Sequence, residues 1–231
     1  MPSNAVDQEP TPAAAKIRPA GLDDKYGLNE GRLFLSGSQA LVRLLLEQSR
    51  RDRRAGLGTA GFVSGYRGSP LGGFDMALWR AGQYLDAENI KFEPGLNEDL
   101  AATAVWGSQQ TDIFGSTGTD GVFGMWYGKN PGLDRSGDAL KHGNYAGTSR
   151  HGGVLAVSGD DPGASSSTIA NQCEQAFSSA MIPVIYPADT GDILELGLKG
   201  YGLSRYSGLW AGFKLVADVV ETTRSVSLDA N

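Results

Sequence analysis

Residues 94–106 read PGLNEDLAATAVW, a short turn that leads into a run of small and mostly apolar residues. The run is typical of a buried helix, and Asn97 is a natural cap for its first turn. Glu98 would then occupy the first helical position, close to an interior that normally rejects carboxylates. Such a residue is either a plain first-turn acid that offsets the helix dipole or a group kept there for chemistry.

A second punctuated segment lies upstream. Residues 65–73 read GYRGSPLGG and directly follow the short apolar run AGFV at 60–63, which is typical of a strand. A glycine-rich turn at a strand's end and a carboxylate at a helix start can meet at one edge of a parallel sheet. Because open α/β sheets bind ligands at that edge, we expect Glu98 and the 65–73 loop to lie together at a binding site.

The rest of the chain alternates between short apolar runs and amphipathic segments, which predicts an α/β fold with a mostly parallel sheet and helices on both faces. The clearest helix covers residues 38–51, and the strongest buried strand covers 153–158. The remaining predicted helices are 74–85, 98–110, 170–181 and 189–203, and the remaining strands are 61–64, 90–92, 121–125, 184–186 and 208–216. Residues 127–150 read as an irregular, glycine-rich stretch, and the serine-rich run 165–168 as a helix cap.

Composition narrows the function. With 231 residues the chain can bury one core, and its net charge of -6 gives no electrostatic case for binding nucleic acid or an anionic membrane. Residues 1–21 contain Pro, Ala and acidic residues without an apolar core, so we predict a disordered leader and not a targeting signal. No run approaches the roughly 20 apolar residues that span a bilayer, and a cytoplasmic protein is expected by default.

Several common motifs are absent from the sequence. It contains no phosphate loop, no GxGxxG after the first strand and no GxSxG elbow. His142 and His151 are too few and too loosely placed for a metal site, and the single cysteine, Cys173, is most simply a core or half-buried thiol. The acidic pair Asp160-Asp161 can bind a metal ion, but a turn before Pro-Gly needs no ligand to explain it. We therefore predict no metal site.

Five ordered segments together resemble the N-terminal part of the long, single-chain indolepyruvate ferredoxin oxidoreductases, which are thiamine-diphosphate-dependent 2-oxoacid oxidoreductases. The resemblance runs from about residue 22 to residue 223. Its most specific pieces are FLSGSQALVR at 34–43, GFVSGYRGSPLGG at 61–73, EPGLNEDLAATA at 93–104, LKHGN at 140–144 and VSGDDPG at 157–163.

The resemblance implies the fold of a thiamine diphosphate pyrimidine-binding domain over residues 22–223. It implies that Glu98 contacts N1' of the aminopyrimidine ring and that Ser69 bonds the ring or a substrate group. The family's loop tends to read Tyr-Pro-x-Thr-Pro, and Arg67 here replaces the first proline. Arg67 either pairs with a substrate carboxylate or faces outward in a turn. Lys141, His142 and Asn144 match a loop that approaches the cofactor.

What the resemblance implies for the whole enzyme exceeds this chain. The diphosphate and its Mg²⁺ are expected on a second domain, because no Gly-Asp-Gly motif with a following Asn occurs here, and iron-sulfur clusters are expected elsewhere for want of cysteines. The implied reaction is oxidative decarboxylation of an aryl or related 2-oxoacid to acyl-CoA. Ferredoxin, coenzyme A, the diphosphate-binding domain and a second copy of the chain are the expected partners. Residues 224–231 are predicted to be the polar tail of a truncated chain. We expect this chain to be inactive on its own.

Two other classes of function stay open from the sequence. One is a non-catalytic module that binds thiamine or a nucleotide without Mg²⁺ or a second domain. The other is a regulatory subunit that assembles with a complete oxidoreductase and does not depend on Glu98 for assembly.

Overall fold

The computed structural model describes residues 19–113, 115 and 118–228, and these form eight strands and ten helices. The strands are β1 (Gly31–Ser36), β2 (Ala60–Gly65), β3 (Ile90–Phe92), β4 (Val122–Lys129), β5 (Val154–Asp160), β6 (Val184–Ile185), β7 (Ala211–Val216) and β8 (Thr223–Leu228). The helices are α1 (Asp24–Gly27), α2 (Gly37–Arg54), α3 (Phe74–Arg80), α4 (Gly82–Ala87), α5 (Glu98–Ser108), α6 (Asn130–Arg135), α7 (Gly137–Ala146), α8 (Glu174–Ser179), α9 (Thr190–Ser207) and α10 (Ala217–Val220).

Six strands form one parallel sheet in the order β3-β2-β4-β5-β7-β6. Its central strands are buried along most of their length, and β5 is buried at every position. Strands covered on both faces read as continuous apolar runs, which is why β5 was the strongest strand in the sequence. The predicted α/β class with a mostly parallel sheet is confirmed.

Side chains of the sheet alternate between two apolar cores. Phe123, Met125 and Tyr127 of β4 point to the core that α2, α3, α4 and α9 cover. Trp126, between them, points to the other core, which α5, α7 and α8 cover. The helices therefore lie on both faces, as predicted.

The two long amphipathic patterns became helices because their ends carry good caps. The Ser36 hydroxyl caps α2 by accepting a hydrogen bond from the amide of Gln39, and the side-chain oxygen of Gln39 accepts one from the amide of Ser36. Asp189 caps α9 by accepting from the amides of Gly191 and Asp192. Both helices extend three or four residues beyond their predicted C-terminal limits.

The prediction that residues 127–150 form an irregular stretch was wrong. β4 continues to Lys129, because Trp126 and Tyr127 are both buried and extend the apolar strand. Pro131 then lies in the first turn of α6, where its missing amide costs nothing. α7 follows and ends before Gly147, which has a positive φ of 83°.

Two helices are shorter than the sequence indicated. The segment 74–85 is broken at Ala81 into α3 and α4, next to the poor helix former Gly82. The segment 170–181 contains only the six residues of α8, and Cys173 precedes its first residue. The serine-rich run 165–168 therefore does not cap a helix, which corrects that prediction.

The antiparallel ribbon of β1 and β8 was missed. It pairs Gly31 with Leu228 and Ser36 with Thr223, and it places the buried Leu33 opposite Val226. Residues 224–228, predicted as part of a polar tail, are thus a paired strand, and residues 229–231 lie outside the described part. The predicted leader lies largely in residues 1–18, also outside it.

Within the described ranges, no helix is both long enough and apolar enough to cross a membrane.

Candidate functional site

The connections of the parallel sheet diverge at its centre. The chain leaves β2 through α3 and α4 to reach β3 on one side, whereas it leaves β4 through α6 and α7 to reach β5 on the other side. The crevice outside the carboxyl ends of β2 and β4 is therefore a topological switch point, where open α/β sheets bind ligands. Glu98 and the 65–73 loop both lie at this edge.

Backbone hydrogen bonds bring Glu98 to the crevice. After β3, the amides of Glu93 and Gly95 donate to the carbonyls of Val63 and Gly65, both at 2.9 Å, so the chain follows β2 to its end. Asn97 then turns the chain into α5, with its side chain accepting from the amide of Leu100 at 2.9 Å. This cap was predicted and is confirmed. Glu98 is the first residue of α5, as expected.

The side chain of Glu98 is half-buried and lies against two glycines. Its Cγ would be 3.5 Å from a Cβ at Gly128 and would overlap a Cβ at Gly132, so the carboxylate fills space that these glycines leave open. The Nε1 of the buried Trp126 donates to the Glu98 carbonyl at 2.9 Å and fixes the backbone. No residue in the described ranges donates a hydrogen bond to the carboxylate itself. A half-buried carboxylate without an internal donor is an acceptor available to a ligand.

The loop after β2 approaches the same strand ends. Pro70 and Leu71 are buried, and their side chains pack over Gly159 at the end of β5. Arg67 and Ser69, by contrast, are exposed at the edge, where their polar groups are accessible. The predicted meeting of this loop with Glu98 at one edge of the sheet is therefore observed.

The other three predicted site residues lie on a helix and not in a loop. Lys141 and His142 are exposed on α7, and the His142 ring stacks on Trp106, with 6.0 Å between the ring centroids. Asn144 is buried: its amide group donates to the carbonyls of Ala180 and Met181, and its oxygen accepts from the Trp210 amide at 2.9 Å.

These partners of Asn144 precede β6 and β7, so Asn144 lies at the amino ends of the strands, opposite the crevice. The structure thus brings Glu98, Arg67 and Ser69 to one edge and keeps Asn144 away from it. Both donors of Asn144 are already used within the protein, which is what a structural residue requires.

Lys129, at the end of β4, is a polar residue of the crevice that the sequence interpretation did not select. Its Nζ donates to the carbonyl and hydroxyl of Ser166 at 2.8 and 3.0 Å and lies 3.7 Å from Oδ2 of Asp161. Hydrogen bonds from the Ser166 and Ser165 amides lower the pKa of the Asp161 carboxyl to about 2. Lys129 and Asp161 together hold the loop after β5 beside the crevice.

A second polar cluster lies under the ends of β5 and β7. Asp160 is buried, accepts from the Cys173 amide at 2.8 Å and lies 3.4 Å from the Nζ of Lys214. The Nζ also bonds Glu174 at 2.5 Å. Burial alone would lower the pKa of Lys214, but the hydrogen bond to Glu174 and the charge of Asp160 raise it.

Asp160, Cys173 and Glu174 place their possible ligand atoms within 4.8 Å of one another. The ammonium group of Lys214 already supplies the positive charge at this point, so the cluster needs no metal ion. Burial and the nearby Asp160 raise the pKa of the Cys173 thiol, which favours the protonated form over the metal-binding thiolate. Of the two predicted environments of Cys173, core or half-buried, the structure shows the core, since Cys173 is completely buried.

One sequence signal could have located Lys129 and its neighbours. The apolar run of β4 continues unbroken through Tyr127, so the first polar residues after it, Lys129 and Asn130, stand at a strand's carboxyl end. Residues at such ends meet at the binding edge.

A recess of about 500 Å³ between α9 and β8 is lined by none of the predicted site residues, and its lining mixes arginines with carboxylates.

The class of protein that this fold defines is an α/β protein with a parallel sheet, whose crevice at the carboxyl ends of the strands is the edge where such sheets bind ligands. Sequence comparison then gives particular relatives. The chain is 27% identical over 190 residues to indolepyruvate oxidoreductase subunit IorA of Methanothermobacter thermautotrophicus, which covers 81% of the chain and 27% of that protein. It is 28% identical over 185 residues to the subunit of the same name from Methanothermobacter marburgensis, covering 79% and 26%.

Among solved structures, the chain resembles a 2-oxoglutarate:ferredoxin oxidoreductase from Magnetococcus marinus with 2-oxoglutarate, coenzyme A and succinyl-CoA bound. The TM-score is 0.62 at 15% identity, over 87% of this chain and 32% of that one, which shows a shared fold. No protein-family model matches the chain. The resemblance to the N-terminal part of the indolepyruvate oxidoreductases is confirmed, and the chain spans about a quarter of the length of these curated relatives.

Proposed function

We propose that the chain forms the part of a thiamine-diphosphate-dependent 2-oxoacid:ferredoxin oxidoreductase that holds the aminopyrimidine ring of the cofactor. The observation that carries the proposal is the Glu98 carboxylate: it is half-buried at the switch point, and none of the described residues donates a hydrogen bond to it. An aromatic nitrogen that carries a proton would satisfy this acceptor. The relatives named for indolepyruvate and 2-oxoglutarate support the reaction class.

In this proposal Glu98 shares a proton with N1' of the ring and thereby favours its 4'-imino form, which serves as a general base. When bound, thiamine diphosphate supplies the carbon nucleophile that adds to the keto carbon of the 2-oxoacid. Ser69 offers a hydroxyl to the ring or the substrate, and Arg67 offers a guanidinium to the substrate carboxylate. Lys141 and His142 are exposed on α7 and would contact the ligand only if another domain of the enzyme brought part of it to that helix.

The chemistry that this chain's residues do not provide is assigned to the rest of the enzyme. We place the diphosphate with its Mg²⁺ on a second domain and the iron-sulfur centres elsewhere in the assembly, with ferredoxin and coenzyme A as reaction partners. A homo-oligomer is part of the same proposal. Since the curated relatives are named for indolepyruvate, aryl 2-oxoacids are the first substrates to test.

The test is Glu98→Gln in the complete assembly, with 2-oxoacid-dependent ferredoxin reduction as the measurement. Glutamine keeps the shape of the side chain but cannot exchange the proton, so we expect a loss of roughly 10²–10⁴-fold in turnover. Glu93→Gln is the matched control, because Glu93 is 60% exposed and forms an exposed ion pair with Lys91. Normal turnover in Glu98→Gln would refute the proposal and favour a non-catalytic module or a regulatory subunit.

A further inference from the structure

Gly132, the third residue of α6, faces the side chain of Glu98 across the crevice. A Cβ at Gly132 would lie 2.6 Å from Oε1 of Glu98 and 2.7 Å from its Cδ, and would come still closer to Cγ. Ordinary contacts of a Cβ begin at about 3.4 Å, so every residue other than glycine would displace this carboxylate.

Space is the reason for a glycine at this position. Gly132 has no positive φ, so its backbone conformation is open to any residue. α6 also cannot easily move away, because Leu133 is buried in the core and Arg135 bonds Asp99 of α5, with 2.5 Å between Nε and Oδ1. On the other side, Trp126 holds the Glu98 carbonyl. Of the two surfaces in contact, the Glu98 side chain is the one that would shift.

We propose that Gly132 is a positioning residue that sets where the Glu98 carboxylate stands in the crevice. This inference rests on the proposed function for its consequence, the contact of Glu98 with N1' of the cofactor ring. A methyl group at position 132 would push the carboxylate toward the open side of the crevice and lengthen or tilt that hydrogen bond. Hydrogen bonds weaken steeply with poor geometry, so the ring would be held less tightly.

The close contact between position 132 and the Glu98 side chain can be tested without any ligand by a thermal double-mutant cycle. Gly132→Ala is expected to lower the Tm by roughly 3–8 °C, because overpacking outweighs the gain from a stiffer unfolded chain. In the background Glu98→Ala, which removes the overlapping atoms, the same substitution should become neutral or stabilising. In the isosteric background Glu98→Gln the loss should remain. Gly107→Ala is the matched control, since among the described residues no atom beyond its own stretch of α5 lies within 4 Å of a Cβ there.

The positioning role has its own readout, the binding of two cofactors by the complete enzyme, measured by calorimetry. One is thiamine diphosphate, and the other is its analogue in which a CH group replaces N1'. We expect Gly132→Ala to reduce the preference for thiamine diphosphate over the analogue by about 10-fold, the worth of one charge-assisted hydrogen bond, and Gly107→Ala to leave it unchanged.

The outcomes separate the two proposals. If the unsubstituted enzyme prefers thiamine diphosphate and Gly132→Ala prefers it equally, the positioning role is refuted while the proposed function stands. If the unsubstituted enzyme shows no preference, the contact between Glu98 and N1' is refuted, and the positioning role falls with it. A Tm loss in Gly132→Ala that persists in the Glu98→Ala background would show that the glycine serves packing elsewhere and would overturn the inference.

Discussion

Asp52 on α2 is almost completely buried and forms two parallel hydrogen bonds with Arg205 on α9, at 2.6 and 2.7 Å. Thr59 and Gln48 donate to the same carboxylate. Replacing Asp52 with Asn removes the charge opposite a guanidinium that is itself only 18% exposed. We expect a loss of about 3 kcal/mol in the free energy of unfolding, measured by chemical denaturation.

The exposed pair of Glu195 and Lys199 on α9 is the control for this prediction. Both side chains are 65% exposed, so Glu195→Gln should change the free energy of unfolding by less than about 0.5 kcal/mol. A loss equal to that of Asp52→Asn would contradict the claim that burial makes the difference.

The same carboxylate predicts a pH dependence. Burial by itself would raise the pKa of Asp52, but the hydrogen bonds from Arg205 and Thr59 outweigh it, and the pKa is lowered below the ordinary 3.8. A carboxyl with a lower pKa in the folded state stabilises the fold above its unfolded pKa, and this contribution disappears as the pH falls through the folded value. The Tm difference between the protein and Asp52→Asn should therefore stay constant from about pH 7 to pH 4 and shrink below. A gap that does not shrink at all as the pH falls below 4 would contradict this account.

At the scale of single elements, α5 depends on its cap. Asn97→Ala removes the acceptor for the Leu100 amide and should cost roughly 1 kcal/mol. Faster hydrogen exchange at that amide would report the loss locally. Asn97→Asp keeps a side-chain acceptor and should exchange as slowly as the unsubstituted protein. Equal exchange rates in Asn97→Ala would mean that packing alone holds the first turn.

The β1–β8 ribbon gives a second prediction for an element. Val226 of β8 packs against the core that α2, α3, α4 and α9 cover, and it lies opposite the buried Leu33. Val226→Asp would bring a carboxylate to this apolar surface and should lower the free energy of unfolding by roughly 1–2 kcal/mol. Ser227→Asp, at the neighbouring exposed position, should change it by less than about 0.5 kcal/mol. Similar losses from both would show that the ribbon does not stabilise the domain.

The elements that could be predicted from the sequence are those with a local cause. α2 has a capping box at Ser36 and a clear apolar stripe, and β5 is an apolar run bounded by glycine and aspartate. β1 and β8 could not be predicted, because their pairing joins residues 31–36 with 223–228 across the whole chain, and each alternates weakly. The glycines of 127–150 concealed α6 and α7, whose stability comes from packing on α5.

The same division applies to the site. Asn97 and Glu98 form a local signature of a helix start, so their place could be predicted. The place of Lys129 at the end of an apolar strand could be read from the sequence, but its partners Asp161 and Ser166 could not, since they are more than 30 residues away. The environment of Asp160 could not be predicted for the same reason, because its partner Lys214 is also distant in sequence. Asn144 was expected near the cofactor, but the bonds that carry it to the opposite edge are made with residues 36 and 66 positions away.

At the scale of the whole molecule, two large apolar side chains next to Glu98 in the sequence are exposed to water. Leu96 is 87% exposed and Leu100 is 51% exposed, and both flank Glu98 on the carboxyl edge. In the proposed enzyme this edge faces the diphosphate-binding domain, which would bury them. Leu96→Arg should therefore weaken assembly with that domain by roughly 10-fold or more, because it places an unpaired charge at the centre of an apolar contact.

The matched control for this interface is Tyr206→Arg. Tyr206 is 93% exposed near the end of α9, at the amino ends of the strands, and its substitution should leave assembly unchanged. Neither substitution removes a buried contact, so the Tm of the isolated chain should move by no more than about 2 °C in either variant. Sedimentation or light scattering of the mixed domains would measure assembly. If both substitutions weakened assembly equally, or if neither did, the partner would not cover the crevice. The carboxyl edge could not then be the shared cofactor site.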